Sequence, residues 1–244
     1  MDSLAQELID EIVNHVPRRG TPATSLVARR WRRPSQQRHF EFVLFKSDYV
    51  TRWEANVPQD PDGIPSYVRH VRFKHFPLRL EPGILSRVLK VFTSMISLDI
   101  DGGRLPPPEE LTVPVSLGEF GKRVTRLTLN AIIGEPSTVI VSFIFSFPNL
   151  RELVISNVPF LPDESPPIAP DISQRGPLES LVVLGSMDLS YDYIPLWRFA
   201  PRRLSFGPSV RSGDLLVGVS SETMVELTLM GAQLLRTREK WNLY

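Results

Sequence analysis

Two carboxylates, Asp99 and Asp101, stand two residues apart in the segment Leu98-Asp99-Ile100-Asp101. Side chains of a strand alternate between faces, so an i, i+2 pair projects to one side, the spacing an acid–base dyad or a bound cation uses. A metal site needs more donors than two carboxylates, yet Gly102-Gly103 follows and neither a His nor a third acid is close in the chain,. The pair therefore reads as a solvated acidic patch. His70 and His75 flank another strand-like segment and read as ordinary surface or half-buried histidines rather than ligands. The chain has no Gly-x-Ser-x-Gly elbow, Gly-x-x-x-x-Gly-Lys loop, His-Glu-x-x-His or dinucleotide fingerprint,. It also has no cysteine, which excludes disulfides, thiol nucleophiles and Cys-ligated metal,. The expectation is a protein that is not an enzyme, with no catalytic residue, no metal and no cofactor.

A basic cluster, Arg29, Arg30, Arg32, Arg33 and Arg38, raises a nucleic-acid reading,. With 28 Lys and Arg against 27 Asp and Glu, the net charge is only +1, so no global field draws in polyanions,. The aromatic stacking stripe of single-strand binders is missing too. The cluster reads as a solvated helix face or as a positive rim around an interface, and neither nucleic acid nor membrane is an expected partner.

The elements that carry these residues follow from apolar spacing. Leu8, Ile9, Ile12, Val13 and Val16 form the stripe of an amphipathic helix that stops at Pro17,. Thr21-Pro22 opens a second helix carrying Ala23, Leu26, Val27, Arg30 and Trp31 and ending before Pro34,. Phe40, Phe42, Leu44 and Phe45 then alternate as in a short strand. The set Leu8, Ile9, Ile12, Leu26, Val27 and Trp31 is too large for so small a module to bury. It either packs on the rest of the chain or meets a partner, and the pattern leaves both open.

Seven later segments share an apolar-x-apolar core: Val71/Phe73, Leu98/Ile100, Leu127/Leu129, Leu153/Ile155, Leu181/Val183, Leu204/Phe206 and Leu227/Leu229. Successive cores lie 27, 29, 26, 28, 23 and 23 residues apart. A period of ~20–29 residues is that of leucine-rich repeats, each unit giving a strand and a helical or irregular return, so the strands should be parallel. Helices are expected over 84–95 and 137–147. The Pro-rich stretches 101–110 and 158–177 read as surface loops,. Residues alternating with the cores should share one exposed sheet face: Arg72, Lys74, Asp99, Asp101, Thr128, Asn130, Val154, Ser156, Val182, Leu184, Ser205, Thr228 and Met230,. Such a face is either solvated or a seat for an extended partner.

Leu4-Ala5-Gln6-Glu7-Leu8-Ile9 with Ile12, then Ser25-Leu26-Val27-Ala28-Arg29-Arg30-Trp31, then Arg38-His39-Phe40, resembles the F-box pattern in order and spacing. Ala5 stands where that family usually has Pro, which weakens docking by ~0.4–1 kcal/mol through a floppier chain. The resemblance implies an α/β protein with an F-box-like helical module over residues 1–45, a connector over 46–65 and a leucine-rich-repeat-like solenoid of about seven units over 66–244. It implies that Leu4, Ala5, Leu8, Ile9, Ile12, Leu26, Val27 and Trp31 dock a Skp-type adaptor and through it a cullin-RING ligase of the SCF type. A protein substrate would then rest on Arg72, Lys74, Asp99, Asp101, Thr128, Asn130, Val154, Val182 and Leu184. The alternative is a stand-alone repeat scaffold whose N-terminal helices are only a cap. The acidic start lacks the basic stretch of an export signal, and the nearly apolar run from Val139 to Phe147 is too short to cross a bilayer,. An intracellular protein, cytoplasmic or nuclear, is expected. The array stops at Trp241-Asn242-Leu243-Tyr244 with no polar cap, which predicts a truncated or self-associating end.

Overall fold

Apolar residues at i and i+4 on two adjacent rows give the N-terminal segment two apolar faces. In the computed structural model it forms α1 (Gln6–His15), followed by a short α2 (Thr21–Thr24) and by α3 (Arg29–Phe40). The structure describes residues 4–46, 63–74, 90–103, 105, 121–133, 137–158, 178–185, 201–207 and 226–229. Ile9 and Val13 are buried on the side of α1 that packs against α3, whereas Leu8 and Ile12 face outward. Val16, extended before Pro17, ends the helix, its N–H donating to the Val13 carbonyl,.

The second predicted helix is two. After Thr24 the chain turns through Ser25, Leu26 and Val27, and extended Ala28 (φ −160°, ψ 160°) starts α3 afresh. Helix α3 then runs through Pro34 instead of stopping before it. An interior proline costs ~3 kcal/mol, but here packing opposes that local preference. Buried Ser35 shares a hydrogen bond with Thr24 (2.9 Å), buried Thr21 contacts the His39 ring nitrogen at 3.0 Å, and α3 packs on both α1 and α2.

Among the described residues eight strands follow in a single sheet: β1 (Phe42–Lys46), β2 (His70–Lys74), β3 (Ser97–Gly103), β4 (Arg126–Ile132), β5 (Glu152–Ser156), β6 (Ser180–Leu184), β7 (Arg203–Phe206) and β8 (Glu226–Leu229). Their order in space is their order in the chain, and every neighbouring pair is parallel. The seven predicted cores are β2 to β8. Their first members, from Val71 to Leu227, stand in one register row, and their second members, from Phe73 to Leu229, in another. An eighth strand, β1, extends both rows with Val43 and Phe45, so the segment assigned to the helical module also opens the sheet. Phe40, expected in that strand, is the last residue of α3.

Helix α4 (Ser137–Phe145) agrees with expectation apart from its last two residues. The other expected helix falls mostly outside the described residues; of its described part Lys90 is helical and Val91 to Met95 are turn or irregular. Asp101 to Gly103, expected in a loop, continue β3. Residues 47–62, 106–110 and 159–177, His75, Met230 and the segment 230–244 lie outside the described residues. The buried rows pack against Phe92, Met95, Ile140, Phe143, Ile144 and Phe147, with Phe45 stacked on Phe73 at 5.1 Å between ring centres. Each such side chain contributes about 1.5–3 kcal/mol, which makes this layer the main source of stability.

The backbone repeats as well as the side chains. Asp101, Asn130, Ser156 and Leu184 are register partners, and the residue after each has positive φ: Gly102 (80°), Ala131 (51°), Asn157 (51°) and Gly185 (85°). A left-handed residue thus bends the chain at one level in four successive units, inside β3 and β4 and just past the ends of β5 and β6,.

Candidate functional site

Two surfaces gather the residues singled out by the sequence. The first lies on the helices. Leu26 on the turn before α3 is 85% exposed, Leu8 53%, Val27 52% and Ile12 42%. Ala5 is exposed, Leu4 and Trp31 are half-buried, and Ile9 is buried against α3 and takes no part in this surface. The exposed apolar residues of this segment thus lie on the outward side of α1 and on the α2–α3 turn. Arg29, Arg30, Arg32 and Arg33 are exposed on the first turns of α3. Arg38 is not part of that arc: its Nη1 donates to Glu41 Oε2 at 2.8 Å, where Arg18 Nη2 also arrives at 3.5 Å.

Glu41 ties the helices to the sheet. Its carbonyl accepts from both Arg69 N and His70 N at 2.9 Å, and Arg18 lies over the Phe42 ring at 5.2 Å. Beside it, Asp10, Gln37, Arg38, Tyr67 and Arg69 help line a polar cleft of about 420 Å³. Burial holds the His70 imidazole below its ordinary pKa; the nearby Glu41 carboxylate opposes this and Arg18 adds to it,.

The second surface is the open face of the sheet. Register brings Arg72, Asp99, Thr128, Val154 and Val182 into one row, with Lys74, Asp101, Asn130, Ser156 and Leu184 in the next. All are half-buried except Lys74, which is exposed. The acidic pair is not a solvated patch. Asp101 accepts from Arg72 Nη2 at 2.6 Å and from Asn130 Nδ2 at 2.7 Å, and Asp99 Oδ1 is buried with no hydrogen-bond partner. Neighbouring strands close enough to form ion pairs explain the difference, since Arg72 is distant from Asp101 in sequence but adjacent in the sheet. Burial raises the Asp101 carboxyl, but the hydrogen bonds from Arg72 and Asn130, joined by the charges of Arg72 and Lys74, bring it below the usual carboxylate range,.

Asn157 extends this polar ladder, its Nδ2 donating to Ser156 Oγ at 3.1 Å and to Asn130 Oδ1 at 3.4 Å. Sequence reasoning missed it. The available signal was a Gly or Asn recurring two residues after the second apolar member of a core, as in Gly102, Asn157 and Gly185,.

Among the described residues no three His, Asp or Glu side chains gather as metal ligands, and no helix is long and apolar enough to cross a membrane. The two surfaces are suited to binding: one apolar with charged flanks, the other a polar ladder running into Val154, Val182 and Leu184. Compared with known protein families the chain matches no family model, and no curated protein shows significant similarity to it.

Proposed function

We propose that this protein is a substrate-recognition adaptor of an SCF-type cullin-RING ubiquitin ligase. Its F-box-like helices dock a Skp-type adaptor, and its sheet, a leucine-rich-repeat-like solenoid, holds a protein substrate. The observation that carries the reading is the exposure of Leu8, Ile12, Leu26 and Val27 on the segment whose sequence resembles an F-box. Several exposed large apolar side chains on so small a module mark a partner surface. Parallel strands in sequential register, joined by returns of similar length, support the solenoid reading,. Catalysis belongs to the partners, and the adaptor acts by raising the effective concentration of substrate near the transfer machinery.

The test is a pull-down of the full chain with a purified Skp-type adaptor. Wild type binds, and Leu8→Asp combined with Ile12→Asp abolishes capture. No capture by the wild type, or capture undiminished in the double variant, sinks the reading. One observation favours the stand-alone scaffold instead: α3 runs into β1 through Glu41 alone, as a cap on the sheet would. The same pull-down separates the two.

A further inference from the structure

The first turns of α3 are electrostatically unfavourable as they stand. Arg29, Arg30, Arg32 and Arg33 occupy four of the first five helical positions, with no acid in the first turn and no side-chain cap on Ala28. Helix N-termini favour negative charge, so cations there oppose the aligned backbone dipoles. The pairs Arg29/Arg33 and Arg29/Arg32 also stack like charges at i, i+4 and i, i+3. Among the described residues no carboxylate pairs with Arg29, Arg32 or Arg33, whereas Arg38, farther along the same helix, is neutralised by Glu41. Helical spacing turns Arg29 and Arg33 roughly 120° and 160° away from buried Ser35, with Arg32 on the flank about 60° from it, on the turns that follow Leu26 and Val27,. Local rules broken together at an exposed apolar site are a mark of function rather than of folding.

We infer that this basic arc is the charge-reading flank of the docking surface: the partner presents carboxylates to Arg29, Arg32 and Arg33 beside an apolar seat for Leu26 and Val27. The inference rests on the adaptor reading and adds the partner's chemistry, an acidic protein surface. Glu7 and Glu11 are exposed on α1, so a partner that meets both helices is oriented as well as attracted. Guanidinium groups suit this role because each grips a carboxylate with two parallel donors.

The experiment measures the affinity of the full chain for a purified Skp-type adaptor across salt. Wild type weakens steeply between about 0.05 M and about 0.5 M salt. Combining Arg29→Glu, Arg32→Glu and Arg33→Glu weakens binding about tenfold or more at low salt, with the difference closing at high salt. The same three changes raise Tm, because carboxylates at a helix N-terminus stabilise it; weaker binding with higher Tm separates a recognition role from a folding defect. The corresponding Lys variant keeps most of the affinity. If the charge-reversed protein binds as tightly as wild type while Leu8→Asp with Ile12→Asp abolishes binding, the adaptor reading stands and this inference falls. Failure of the wild type to bind overturns both, as does salt-sensitive binding to phosphatidylserine vesicles in place of the adaptor.

Discussion

Arg72 stands directly across from Asp99 in the β2–β3 register, yet its Nη2 donates to Asp101, the next carboxylate on the same face, at 2.6 Å. The diagonal choice joins three strands, since Asp101 also accepts from Asn130 on β4. It leaves the near carboxylate with a buried oxygen that has no partner.

Asp101→Asn removes the charge that Arg72 and Asn130 bind. The expected loss is about 1 kcal/mol at neutral pH, the range of a charge-assisted but partly screened pair. The folded pKa lies below the ordinary 3.8, so this stability is present in full above that pH and disappears as pH falls through the lower folded value,. Chemical denaturation at neutral and strongly acidic pH should show the gap between variant and wild type narrowing toward acid. A gap that widens contradicts the ion-pair description.

His70 titrates in a milder window. Burial depresses its pKa below the ordinary 6.5, so protonation opposes folding and the stability it confers above that pH is lost as pH falls through the folded pKa. His70→Gln should flatten the stability profile just below neutrality, read as Tm against pH. An unchanged slope sinks the assignment.

Gly185→Ala should destabilise by about 1–3 kcal/mol. Its φ of 85° disfavours any side chain, and an added Cβ would collide with Asn157 Oδ1. Ala131→Gly, at the same level with φ 51°, releases strain but loosens the unfolded chain, so its net change should stay within about 1 kcal/mol,. Urea unfolding of both variants gives the comparison, and equal effects would count against a shared left-handed level.

Ile9 and Leu26 are both apolar residues of the F-box-like segment, with opposite surroundings. Ile9→Ala should cost about 2–5 kcal/mol because the side chain is 1% exposed, whereas Leu26→Asp at 85% exposure should change stability by no more than about 0.5 kcal/mol,. Thermal unfolding of the two proteins checks the division between module core and patch. A large loss in the Leu26 variant would mean that the residue is covered.

The periodic part of the molecule was the most legible in sequence. Leu127 and Leu129, or Leu153 and Ile155, declare buried strand positions by alternation, and their spacing declares parallel neighbours. Strand β1 was legible as a strand but not as a repeat, because Phe40, Phe42 and Leu44 alternate out of step with Val43 and Phe45, although Val43 precedes Val71 by 28 residues, within the spread of the later intervals. Pro34 misled for a different reason: its local penalty was legible, whereas the packing of Ser35 on Thr24 that outweighs it joins residues brought together only by the fold. Asp99 and Asp101 illustrate the same limit. Spacing put them on one face, but the arginine that neutralises one of them is 29 residues from it.

The single residue between α3 and β1 leaves the chain almost no slack. With the Glu41 backbone fastened to Arg69 and His70 and its side chain held by Arg38 and Arg18, the helical patch and the open sheet face act as two ends of a stiff lever. On the proposed adaptor reading, cargo seated on one end would be carried at a set bearing relative to whatever grips the other, and its reach would be decided by how many strands lie between them.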